Sequence, residues 1–256
     1  MRDRRFAVLT ASLGLLVGGA AFWGADKQAL GLFHDDGVYV VVAKSLAQGE
    51  GYRIISLPSA PPQTKYPFLY SYLLSWIWPF NPNFPQNIPL LKSLNCALLA
   101  GIFILSVVFY RRLFAGSRLG AIAFGSLVCV NPIVFTFTDY PVSDLLFLLF
   151  ALAALTIGAA AVRAHGWRVS VSLAVVGGLA CLTRLAAAPV ILAGAVQSIA
   201  SRRWRGAIDF LVGVTLIVAP WFAWRSAWPI YPADSLLGYY ATYDVAGGVT
   251  GNLGGT

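Results

Sequence analysis

Carboxylates are scarce in this chain: ten Asp and Glu residues stand against eighteen Lys and Arg in 256 positions. Charged residues reach only 11% and hydrophobic ones 58%, with a mean hydropathy of +0.73. Soluble domains do not have this balance, and it marks an integral membrane protein. Cysteine is equally sparse. Cys96, Cys129 and Cys181 each lie inside an apolar run without metal-ligand spacing, so they read as small buried hydrophobes and imply neither a disulfide nor a zinc site. The formal charge of +8 falls in short clusters between apolar runs, where cations act as topology signals, and this argues against nucleic acid as a partner. No internal repeat, soluble linker or second domain is visible.

What is present is a series of membrane-length runs. Stretches of about 20 apolar residues occupy 6–24, 88–110, 119–138, 144–162 and 207–224. Residues 66–80 are apolar but short and are closed by Pro79, Pro82 and Pro85, while 169–200 is one long run interrupted by Arg184. The positive-inside rule arbitrates both. Arg2, Arg4 and Arg5 hold the N-terminus in the cytoplasm, so the loop 25–87 faces outward. Arg111, Arg112 and Arg118 reach the inner side only if 66–80 is interfacial, and its Tyr66, Phe68, Tyr70, Tyr72, Trp76 and Trp78 suit the headgroup level. Arg163 and Arg168 must share a side with Arg202, Arg203 and Arg205, so the long run splits into 169–183 and 185–200, meeting near Arg184 on the outer side.

The expectation is an all-α polytopic membrane protein, a single transmembrane domain over 1–256 with about seven spans. An outer loop 25–87 carries interfacial helices, and a Gly-rich tail over 225–256 lies outside as well. Met1–Ala25 also has the layout of a secretory signal, although its apolar stretch is long for one; Asp35 lies outside in either case.

This topology gathers nearly all the acids on the outer face, Asp3 and Asp209 excepted. Asp35 and Asp36 precede a helix expected from about Val38 to Gln48, with Gly49 and Gly51 ending it. Either acid can be a cap at that N-terminus, where the helix dipole favours negative charge, or a group for chemistry. His34 beside them reads as a surface residue, since one His and two adjacent acids make a weak metal pattern. Asp144 opens the fourth span as a cap, with Ser143 as the alternative, and Asp139 belongs to a turn before Pro141. Arg184 is costly near membrane depth, about 3 kcal/mol unless it snorkels or is paired. It is either a topology marker or a phosphate binder.

The order of these pieces carries a resemblance. Asp35-Asp36-x-x-Tyr39 is followed by Ala43, Leu46 and Gly49-x-Gly51-Tyr52, then by Lys65-Tyr66-Pro67-Phe68-Leu69-Tyr70. Later come Tyr140-Pro141-Val142-Ser143-Asp144-Leu145 and Gly178-Leu179-Ala180-Cys181-Leu182-Thr183-Arg184. Together they resemble the N-terminal portion of GT-C glycosyltransferases, closest to the protein mannosyltransferase and lipid A aminoarabinose transferase group. The resemblance implies a GT-C-like helix bundle in a bacterial plasma membrane. It also implies sugar transfer from a polyprenyl-phosphate donor to a glycan, lipid or protein acceptor on the extracytoplasmic face, usually with inversion. On it, Asp35 is the general base, Asp36 stands where Glu is common, and Tyr39 orients the loop. Lys65 and Arg184 hold the donor phosphate, and Asp144 contacts acceptor or metal. A divalent metal is left open, and no other cofactor is implied. The turn after Lys65 departs from the family, which often has Pro-Pro where Tyr66-Pro67 stands here. Members also continue for several further spans, so a fragment, a split protein or a short relative are all open readings.

Two other classes compete with an enzyme. A transporter or flippase would place polar groups at the midplane of broken, repeated helices, whereas here they gather at one face. A noncatalytic membrane subunit or truncated product fits the aromatic interfacial surface and the Gly-rich end.

Overall fold

The computed structural model describes residues 2–114, 116–161, 167–200, 204–232 and 235–242. The tail from Tyr243 onward and the topology markers Arg163, Arg202 and Arg203 lie outside the described residues. The described chain is helical, with no strand beyond an isolated bridge between Arg53 and Pro62.

The axis is α4 (Ile88–Phe114), 27 residues long and hence about 40 Å. Packed on it are α1 (Arg2–Gly24), α5 (Arg118–Val130) and α7 (Asp144–Ala161). The last of these passes the contact to α8 (Trp167–Thr183), which pairs with α10 (Trp204–Ser226), and α9 (Ala188–Ala200) covers α10. Two apolar cores result among these long helices, and a third, smaller one of Val38, Val42, Ile54 and Ala241 lies outside them. Of the first two, one contains Leu91, Leu99, Phe103 and Leu145 around α4, and the other contains Leu173, Phe210, Val214 and Trp221 between α8 and α10. The helices α1, α4 and α10 are long and apolar enough to cross a membrane, while α5, α7, α8 and α9 are apolar but shorter. Lipid-facing exposure fits this, with Leu15, Leu16, Leu127 and Leu216 all exposed.

Small residues set the closest helix contacts. On α1, Gly14 and Gly18 lie one turn apart against α4, and a β-carbon at Gly18 would stand 2.7 Å from the Cys96 carbonyl oxygen. Packing in lipid relies on such approaches because no hydrophobic effect separates helix from acyl chain. We expect Gly18→Leu to destabilise the fold by about 1–3 kcal/mol, read as a lower melting temperature in detergent; an unchanged value would show that α1 is not seated on α4.

The sequence expectation for 119–138 is corrected. The run is not one continuous helix, because α5 ends at Val130 and a short α6 (Pro132–Thr136) follows. Pro132 has no N–H to continue the α5 ladder, and the Asn131 side chain instead accepts from the N–H groups of Ile133 and Val134. The 66–80 segment holds α3 (Leu69–Ile77), nine residues long, and a 3-10 turn at Trp78–Phe80. That length is far short of a span. Its aromatic residues do not all face the headgroups, however. Trp76 is 61% exposed, but Tyr70 and Trp78 are buried, and the Tyr70 hydroxyl donates to Asn95 Oδ1 at 2.8 Å. The break near Arg184 stands as expected: α8 stops at Thr183, and a 3-10 turn at Leu185–Ala187 leads into α9.

Candidate active site

The helix α2 (Asp35–Ala47) starts three residues earlier than the sequence suggests and ends before Gly49 and Gly51, both at positive φ. Its start is a tight γ-turn. His34 has φ 62 and ψ −46, and the Asp35 N–H donates to the Phe33 carbonyl at 2.6 Å. This conformation is rare and strained for a residue with a side chain, and such outliers concentrate at functional sites.

The two adjacent acids diverge from this turn. Asp36 is wholly buried and accepts N–H groups from Gly31 at 2.6 Å and Gly37 at 2.9 Å. It therefore fastens the preceding loop to α2 and has no free face for substrate. Asp35 is half-buried, and its Oδ1 accepts the Tyr66 hydroxyl. Its Oδ2 has no hydrogen-bond partner among the described residues. The cap position itself belongs to His34, which makes no side-chain capping bond.

Asp35 and Tyr39 lie one turn apart, and the Tyr39 ring packs on Tyr66 at 5.3 Å and on Tyr70 at 5.0 Å. The Tyr39 hydroxyl pairs with Ser143 Oγ at 2.9 Å, which joins α2 to the start of α7. Burial drives the phenol pKa values of Tyr39 and Tyr66 well above the usual range, and the bond to Asp35 adds to the rise for Tyr66. Both therefore stay neutral, so Tyr66 acts toward Asp35 as a donor.

The Lys65-Tyr66-Pro67 turn is fixed from two sides. The Tyr52 hydroxyl sits 3.0 Å from the Tyr66 carbonyl oxygen and 3.2 Å from that of Pro67, so it can donate to either. The adjoining Thr64 N–H donates 2.8 Å to Ala241 at the end of α11 (Leu236–Ala241). Lys65 Nζ donates to the Tyr239 carbonyl at 2.7 Å and lies near the rings of Tyr66 and Tyr239. Desolvation lowers the Lys65 pKa from the ordinary lysine value, and the charge of Asp35 opposes that shift.

Arg184 ion-pairs with Asp144, the two side chains being 32% and 28% exposed. Asp144 is thus a partner for the guanidinium, in the first turn of α7. Asn95 on α4 holds the turn before it: its Nδ2 lies 2.7–3.1 Å from the carbonyl oxygens of Phe137, Tyr140 and Val142, and its two N–H groups can serve two of them at a time. Asp139 accepts from the Asp26 N–H at 3.2 Å and belongs to the same loop scaffold, away from the Arg184 pair.

Tyr39, Lys65, Tyr66, Thr183 and Arg184 line one cavity of about 360 Å³. Asp35 reaches it through Tyr66. A second cavity, of about 480 Å³, lies along another side of α2 and is lined by His34, Gly37, Val38, Val41 and Tyr240 among others. The helix α2 therefore stands between two spaces, with Tyr39 lining the first and Gly37, Val38 and Val41 the second.

The sequence-chosen residues Tyr39, Lys65 and Arg184 meet at the first cavity, with Asp35 and Asp144 each one contact behind it. Asp36 is apart from it. Three members are additional: Tyr66 as donor to Asp35, Ser143 as partner of Tyr39, and Tyr239 as acceptor for Lys65. Tyr66 adjoins Lys65 in a Pro-closed turn and could have been suspected from that; nothing local singles out Tyr239. Among the described residues no group of three or more His, Cys, Asp or Glu could hold a metal ion. No protein-family model matches the chain, and no curated protein or solved structure shows significant similarity to it.

Proposed function

We propose that the chain forms the membrane part of a glycosyltransferase that uses a polyprenyl-phosphate sugar, with Asp35 as general base. The observation that carries this reading is the meeting of Tyr66, Lys65 and Arg184 at one cavity, with Asp35 held one contact behind it by the Tyr66 hydroxyl. An acid that can accept a proton is thereby joined through one side chain to cations that can bind a phosphate, as a base and a leaving-group binder serving one reacting centre require. The shorter apolar helices α5, α7, α8 and α9 join α1, α4 and α10 as spans in this reading, with Asp35 on the extracytoplasmic side of a bacterial plasma membrane and the N-terminus inside.

The acceptor hydroxyl attacks the anomeric carbon as the bond from that carbon to the phosphate oxygen breaks. Its proton passes to Asp35 Oδ2, while Oδ1 remains held by Tyr66. Negative charge growing on the leaving polyprenyl phosphate is met by Lys65 and Arg184. Inversion follows from attack opposite the leaving group. The 480 Å³ space beside His34 and Gly37 gives the acceptor a separate approach.

The test is transfer from polyprenyl-phosphate mannose and polyprenyl-phosphate aminoarabinose, labelled in the sugar, by the purified chain in liposomes containing cell-envelope glycolipids. Labelled product and free polyprenyl phosphate in equal amounts support the reading; turnover of neither donor removes it. Lys65 adds a pH signature. A lysine whose pKa lies below its ordinary value of 10.5 is fully charged below that lowered pKa and loses its charge as pH rises through it, earlier than an exposed lysine would. Donor KM is therefore expected to rise with alkaline pH in the native chain and to stay level in Lys65→Arg, whose guanidinium does not titrate. Identical profiles would take Lys65 off the phosphate.

A further inference from the structure

At the end of α4 remote from Asn95, three helix termini meet in a basic pocket that has no part in the chemistry above. The start of α1, the end of α4 and the start of α5 converge there, and Arg118 of α5 ion-pairs with Asp3 of α1 at 3.0 Å. Phe6 lies against two guanidiniums, with Arg111 5.1 Å and Arg118 5.4 Å from its ring centre. Beside it opens a cavity of about 330 Å³, walled by Phe6, Ala7, Ile104 and Val108 and rimmed by Arg111, Arg112 and Asp3. Asp3 is committed to Arg118, and neither Arg111 nor Arg112 has a carboxylate partner among the described residues.

We infer that this pocket is a binding site for an anionic phospholipid. The three arginines against one carboxylate leave an excess of positive charge, and a guanidinium offers a phosphodiester paired N–H donors. The apolar wall continues from the rim along α1 and α4, helices long enough to span the membrane. A ligand that fills both parts therefore needs a charged head and an acyl chain joined end to end. A free phosphate would leave the Phe6, Ala7 and Val108 wall uncovered, and a neutral lipid would leave Arg111 and Arg112 unpaired. Basic pockets between membrane helices are a recurrent means of recognising anionic headgroups. The inference rests on neither the proposed catalysis nor the compartment that this end faces.

The experiment titrates the detergent-purified, delipidated chain with fluorescent phosphatidylglycerol and, separately, fluorescent phosphatidylcholine at low salt. Phosphatidylglycerol is expected to bind about 10- to 30-fold more tightly, as two juxtamembrane arginines would give. The preference should vanish in the Arg111→Gln/Arg112→Gln double variant. Ala7→Trp fills the cavity but keeps every charge, and it should abolish tight binding of phosphatidylglycerol while gel filtration and helicity remain native. Equal affinity for the two lipids overturns the site, as does undiminished binding by Ala7→Trp, which would mean surface attraction without a pocket. Glycerophosphoglycerol, the headgroup without chains, should compete weakly; competition at the affinity of the whole lipid overturns the acyl part of the assignment. If the double variant does not fold, Ala7→Trp and the headgroup competition still decide the outcome.

Discussion

Replacing Asp35 with Asn is expected to reduce sugar transfer by about 10²- to 10⁴-fold while leaving donor binding and the melting temperature nearly unchanged. The reason lies in how the carboxylate is held. Tyr66 donates to Oδ1 and leaves Oδ2 without a partner among the described residues, so one oxygen is oriented and the other can receive a proton. Asparagine keeps the shape and can still accept from Tyr66 through its amide oxygen, but its other terminal atom is an NH2 group that cannot take a proton from the acceptor. Transfer and binding should therefore separate. Initial rates with saturating labelled donor give the first, and equilibrium binding of the same donor gives the second. Undiminished transfer would remove Asp35 from the mechanism, while a lost melting transition would make it structural. Asp36→Asn provides the contrast. Asp36 is buried and takes two N–H groups, so its loss should show in stability before it shows in catalysis.

The long apolar helices and the break at Arg184 were legible because each depends on a local signal. A lone guanidinium within an apolar run, with basic clusters on both sides, leads a positive-inside reading to divide the run there, and the helix does end at Thr183. The division of labour between Asp35 and Asp36 was not legible. Both occupy the first turn of one helix, and what separates them is the γ-turn at His34 and the distant Tyr66, which no periodicity encodes. The same applies to Asn95. In sequence it is one polar residue in an apolar span, yet its amide holds the turn that presents Ser143 and Asp144. Asn131 shows the limit in the other direction. Hydrophobicity carries through 119–138 without pause, so a composition window joins what the Asn131 cap and Pro132 divide. Aromatic residues in the 66–80 segment were likewise read as one class, although helical geometry turns Tyr70 inward and Trp76 outward.

The Asp144–Arg184 pair allows fold and function to be tested apart. Removing either partner leaves the other charge only about a third exposed, and each single variant, Asp144→Asn or Arg184→Gln, should destabilise the chain by roughly 1–3 kcal/mol. That is below the range for fully buried pairs because water reaches both groups. The double variant removes both charges together, so it should recover part of the loss, with a coupling of about 1–2 kcal/mol in a double-mutant cycle on unfolding. Transfer should not recover. Arg184 lines the 360 Å³ cavity, and on the proposed mechanism a guanidinium that meets developing phosphate charge is worth about 10²- to 10³-fold in rate, which Gln cannot supply. Melting curves and transfer rates for the four proteins thus carry different information. Strictly additive destabilisation would mean that the pair does not form. Transfer restored in the double variant would mean that Arg184 serves only to satisfy Asp144 and that the donor phosphate is held elsewhere. Recovery of stability with persistent loss of transfer is the outcome expected if a structural ion pair between the start of α7 and the end of α8 also keeps a cation aimed at the reacting centre.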